Sequence, residues 1–173
     1  DRVGMECIVV FTKVIFVVFT SRRELPELSS TSPHVQSFWN AMQSRGEAEK
    51  VEASAGQGQR MAVYMGDHKA VTRTVWGHKM FVDTRDLSLT PHILLDGYWE
   101  MWVTNVFRGI IKEGMTVVEV GANIGYYTLL AAAQVGTGGK VYAFEANPNT
   151  FDLLFQSVAV NGFLDRVALT NKG

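Results

Sequence analysis

The run from Val117 to Thr128, Val-Val-Glu-Val-Gly-Ala-Asn-Ile-Gly-Tyr-Tyr-Thr, constrains this chain more than any other stretch. Its first residues are apolar and β-branched and read as a buried strand, and the glycines that follow force a tight turn into a helix beginning near Ile124. Gly121 and Gly125 bracket a loop whose N–H groups are expected free at the helix start, and a glycine lets a ligand approach the backbone closely. The expectation is a strand–loop–helix site for a nucleotide-like ligand.

Downstream, Gly139-Lys140-Val141-Tyr142-Ala143-Phe144-Glu145 reads as a second strand ending in a carboxylate. This is the spacing, roughly twenty residues, at which an acid reaches a ribose diol in a βαβ unit. Glu145 is the candidate ribose ligand. A dinucleotide site shows G-x-G-x-x-G so that pyrophosphate can touch the second glycine, whereas here Asn123 stands in that place. Glu119, two residues before the loop, suits a ligand carrying an ammonium and a sulfonium. The pocket therefore reads as one for S-adenosylmethionine, with an NAD-dependent oxidoreductase as the least favoured alternative.

The span from Gly114 to Gly162 includes that loop, the segment Gly-Lys-Val-Tyr-Ala-Phe-Glu-Ala-Asn-Pro and Asn161-Gly162. It resembles the FkbM family of methyltransferases, as does the upstream Leu95-Asp96-Gly97-Tyr98-Trp99-Glu100. The resemblance implies an α/β fold: a class I, Rossmann-like doubly wound sheet, present up to its third core strand and preceded by a small antiparallel β meander and a helix. It also implies methyl transfer from S-adenosylmethionine to a hydroxyl of a sugar, polyketide or similar metabolite. The cofactor set is then Gly121, Ala122, Asn123, Gly125 and Tyr126 in the loop, Glu119 before it, and Glu145 and Ala146 after the second strand. The family's usual proline at 146, asparagine at 157 and aspartate at 119 are replaced here by Ala146, Ser157 and Glu119. No catalytic residue carries over, and His92, Tyr98 and Glu100 are the helpers within reach of the argument. The alternative function is a non-catalytic binding module.

The remaining chain divides by composition. Residues 1–28 hold an apolar run, Ile8 to Phe19, interrupted by Lys13 and followed by Arg22-Arg23. A membrane helix needs about twenty apolar residues, so a membrane anchor, a β-rich packing segment and non-native sequence compete. Residues 29–59 read as a linker with a short helix opened by Ser32-Pro33, and polar from Ser44 to Gln59. Residues 60–112 read as strands Met61 to Met65, Val71 to Trp76 and Met80 to Asp83, then a helical stretch from about His92 to Ile111 with Gly97 as a candidate break. Residues 113–173 carry the core: strands Thr116 to Val120, Lys140 to Phe144 and Arg166 to Thr170 with two helices between them. With no fourth core strand, strand one should keep an unpaired edge.

A net charge of −1 gives no electrostatic argument for nucleic acid, so the expected partner is a small-molecule or glycan acceptor and not nucleic acid. The single Cys7 and four scattered histidines exclude a disulfide framework and show no metal-ligand spacing. The default compartment is cytoplasmic, with membrane association through residues 8–19 as the alternative.

Overall fold

The computed structural model describes residues 61–172 and, before them, the backbone of two strands, β1 (Val10–Phe11) and β2 (Ile15–Phe19). The core is a sheet in the order β1-β2-β6-β7-β8. Its parallel part consists of β6 (Thr116–Val120), β7 (Lys140–Phe144) and β8 (Val167–Thr170). Val117, Val141 and Ala143 are fully buried, as expected where helices cover a parallel sheet. The order of these strands matches the 3-2-1 half of a doubly wound sheet. The architecture is a partial class I methyltransferase-like α/β fold.

Helix α3 (Tyr126–Val135) connects β6 to β7, and α4 (Pro148–Val160) connects β7 to β8. Nearly every side chain of α3 is buried, so tertiary packing rather than an exposed polar face holds it. Helix α4 starts where Asn147 caps it, the side chain accepting from the N–H groups of Asn149 (2.9 Å) and Thr150 (3.4 Å), with Pro148 at the first turn. It ends at Asn161, with Gly162 at φ 73°.

A second sheet, β3 (Val63–Gly66), β4 (Lys69–Arg73) and β5 (Lys79–Asp83), is the expected meander. Its β5 edge is closed by α4: the N–H of Lys79 donates to Asn161 Oδ1 (3.0 Å) and that of Phe81 to Ser157 Oγ (3.0 Å). Asn161 also donates back to the Lys79 carbonyl. Strand donors left over at a sheet edge thus find side-chain acceptors on a helix.

The break offered at Gly97 is present: the stretch from His92 to Ile111 is two helices, α1 (Thr90–Leu95) and α2 (Met101–Ile110). Gly97 at φ 75° and Glu100 at φ 40° turn the chain between them, and left-handed backbone interrupts the helical ladder. Two expectations differ from the structure. The edge of β6 is not unpaired: β2 lies antiparallel along it, Ile15 opposite Val120 and Phe19 opposite Thr116. Of the run Ile8 to Phe19, what is described is therefore strand, and no helix among the described residues is long and apolar enough to cross a membrane. Second, the middle meander strand stops at Arg73, where a turn begins at Thr74. The Ser32 helix and the linker from Ser44 to Gln59 lie outside the described residues.

Candidate cofactor site

Val120 and Phe144 are paired at the C-terminal ends of β6 and β7, so the loop leaving one strand and the turn leaving the other begin side by side. In the loop, Gly121, Asn123 and Gly125 have φ of 79°, 52° and 93°. These left-handed positions fold the loop back onto β7. The N–H groups of Gly121 and Ala122 both donate to the Phe144 carbonyl, each at 2.9 Å, and that of Gly125 to the Ala122 carbonyl at 3.0 Å. The Asn123 N–H donates to Glu145 Oε2 (2.9 Å) and the Ile124 N–H to Asn123 Oδ1 (2.8 Å).

Every N–H from 121 to 125 therefore has a partner within the protein. The sequence reading expected these groups to be free, and the structure corrects it: the loop spends its donors on β7. Residues 121–125 therefore offer no N–H group to a pyrophosphate.

Glu145 is the hub of the site. Its Oε2 accepts from Asn123 and its Oε1 from the Asn147 N–H at 2.9 Å. A carboxylate has about four acceptor positions, so each oxygen keeps one for a hydroxyl. The residue is half-buried, between the exposed Asn123 and Ala146. A ribose diol fits this donor–acceptor set: two hydroxyls donating to two oriented oxygens.

Glu119 behaves differently. It is 1% exposed, its Oε2 accepts from the Thr128 hydroxyl at 2.6 Å, and its Oε1 has no partner among the described residues. Burial pushes its pKa up to about 8, opposed by the Thr128 hydrogen bond and reinforced by the Glu145 charge. Burial thus favours the protonated carboxyl near neutral pH. The side chain packs beneath α3, tied to it through Thr128.

Tyr126 also turns inward. Its hydroxyl accepts from Trp76 Nε1 (3.1 Å) and donates to the Thr104 hydroxyl (3.2 Å), whose own proton goes to the Trp99 carbonyl (2.7 Å), tying the meander and α2 to the core. Ala122 is buried, and a Cβ on Gly125 would lie 2.6 Å from Leu154 Cδ1. The structure thus brings together Gly121, Asn123, Glu145 and Ala146 at the surface and sets Glu119, Ala122 and Tyr126 into the interior. Of the helper residues, His92 is exposed, 3.3 Å from Asp96 Oδ2 and packed on Trp99, while Glu100 sits at the left-handed turn before α2.

Two participants were missed as site residues. Asn147, read only as a helix cap, also donates its N–H to Glu145. Asn171 donates its side-chain amide to the carbonyls of Glu145 (2.8 Å) and Ala146 (3.2 Å). Its one signal in the sequence was position: it directly follows the strand expected beside β7.

With this geometry in view, comparison with known proteins is informative. Residues 104–172 match the model of the TRM5/TYW2 methyltransferase domain. The protein-L-isoaspartate O-methyltransferase of Methanococcoides burtonii is 33% identical over 63 residues, covering 36% of this chain and 31% of that protein. TYW2 of P. horikoshii, solved in complex with MeSAdo, is 25% identical with a TM-score of 0.45, covering 63% of this chain and 38% of that one. A complex of aTrm5 with tRNALeu is 14% identical with a TM-score of 0.46, covering 64% and 29%. The chain spans about a third of the length of the proteins it matches.

Two sequence-based expectations are overturned. The matching family model is TRM5/TYW2, not FkbM. A glycine loop and an acid after the second strand recur in the cofactor half of nucleotide-binding βαβ units and carry no information about the acceptor, so they resemble several families at once. The exclusion of nucleic acid, and the small-molecule or glycan acceptor set in its place, fall with it, because the family model that matches residues 104–172 is that of TRM5/TYW2. Net charge averages over a surface and does not report a local interface. On the cofactor, S-adenosylmethionine, sequence and comparisons agree.

Proposed function

We propose that this chain carries the cofactor-binding part of an S-adenosylmethionine-dependent methyltransferase of TRM5/TYW2 type, acting on tRNA. The observation that carries the reading is the Glu145 carboxylate, oriented by two backbone N–H groups beside a loop with no donors to spare. This set accepts a ribose diol and does not offer a phosphate cradle. Gly121, Asn123, Glu145 and Ala146 would line the nucleoside side, while Glu119 and Tyr126 hold the loop and α3 from below. S-adenosylmethionine supplies an electrophilic methyl group. The contribution of these residues is to bind and orient it, placement being worth several kcal/mol of a transfer barrier, about 7–11 at best. The match over residues 104–172 supports tRNA as the acceptor class.

The test is calorimetric titration of S-adenosylhomocysteine, with NAD as control, followed by transfer of labelled methyl groups to unmodified tRNA and to an isoaspartyl peptide. Micromolar binding of S-adenosylhomocysteine and label on tRNA are expected. Binding of NAD instead would remove the cofactor reading. Label on the peptide alone would move the acceptor to protein, the chemistry named for the Methanococcoides relative.

A further inference from the structure

We propose that Asn171 is a positioning residue for the ribose-binding carboxylate, acting through the backbone of Glu145 and Ala146; this rests on the cofactor reading above. Glu145 leaves the sheet at the point where β7 and β8 end: its N–H donates to the Thr170 carbonyl at 3.0 Å, the last ladder bond before the turn. Beyond it, the carbonyls of Glu145 and Ala146 would project from a strand end without a partner in the ladder. Asn171, the next residue of the neighbouring chain segment, supplies both N–H bonds of its side-chain amide to them, at 2.8 and 3.2 Å.

The carboxylate is thereby fixed from two directions. The N–H groups of Asn123 and Asn147 set where its oxygens lie, and Asn171 sets the peptide planes from which the side chain departs. An amide can do this because it presents two donors from one nitrogen. Aspartate, of the same size, presents none when ionised and would place charge against two carbonyl dipoles. Because the segment is exposed, water can replace the lost bonds to the carbonyls. Removing the amide should therefore loosen the carboxylate without unfolding the chain. The loss should fall on the part of the ligand that touches Glu145, the diol.

The experiment measures, in the full protein, the affinity of S-adenosylhomocysteine and of its 2′-deoxyribose analogue for wild type, Asn171→Ala and Asn171→Asp. Wild type should prefer the diol by tenfold or more, and both variants should lose most of that preference while binding the deoxy ligand nearly as well as wild type. Their thermal midpoints should stay within a few degrees of the parent. A preference retained in Asn171→Ala, or an equal loss for both ligands, would overturn the role of Asn171 and leave the cofactor reading standing. Wild-type protein that binds neither ligand would overturn both. Asn171→Asp, matched in size, guards against a packing defect peculiar to alanine.

Discussion

Two carboxylates stand near the ends of adjacent parallel strands, and the structure uses them in opposite ways. Glu119, one residue before the end of β6, is sealed under α3 with one hydroxyl for company. Glu145, one residue past the end of β7, has left the sheet and holds two backbone N–H groups while half-open to solvent. The difference of position relative to the strand end decides the chemistry. Inside the ladder a side chain must face a helix or its opposite side; past it, the chain can turn the carboxylate toward a ligand. One acid is a neutral pillar and the other an oriented acceptor.

The sharpest way to break this contrast is pH. Glu119 titrates near 8 in the folded protein, above the ordinary 4.5, so the unfolded chain holds fewer protons between those values. Stability should therefore be full at acid pH and fall as pH rises toward 8, by about 4 kcal/mol at most. Glu119→Gln should flatten that slope. Urea midpoints at pH 5 and pH 8 measure it, and an equal slope in both proteins would mean that Glu119 is ionised in the fold.

A smaller effect is expected at the loop itself. Gly125→Ala places a side chain at φ 93° and against Leu154, costing about 2–3 kcal/mol of stability. A denaturation midpoint unchanged from the parent would show that the loop is not packed on α4.

Next comes Glu145→Ala, which should weaken S-adenosylhomocysteine binding tenfold or more, a loss of about 1.4 kcal/mol upward, with little change in thermal midpoint. Unchanged affinity would make Glu145 a structural cap, no different in kind from Glu119. The smallest effect belongs to Tyr126→Phe, which removes the hydroxyl bonded to Trp76 and Thr104. Stability should drop by about 1 kcal/mol and cofactor affinity should hold, whereas weakened binding would return Tyr126 to the pocket.

The strand–loop–helix of residues 116–135, the strand ending at Glu145 and the Asn147-Pro148 helix start were all legible, because each has a local cause: β-branched runs, glycine turns, a cap. The inward aim of Glu119 was legible too, though unread: it lies two residues from Val117, on the same face of a pleated strand. The antiparallel pairing of residues 15–19 with 116–120 was not, since a strand's composition does not name a partner a hundred residues away. The break at Gly97 was legible, since a glycine interrupts an apolar helical pattern, whereas the left-handed turn at Glu100 was not. The acceptor class was illegible for a different reason, in that no residue of the loop has cause to touch it.

The double acceptance at the Phe144 carbonyl has a consequence for how the site comes into being. Loop and carboxylate belong to different strands and meet only because Val120 lies opposite Phe144. A slip of one residue between β6 and β7 would turn Glu145 to the other face and strand the loop's donors. Cofactor affinity is thus a gauge of correct register: a compact chain with misaligned strands could bury the same apolar surface and still bind nothing.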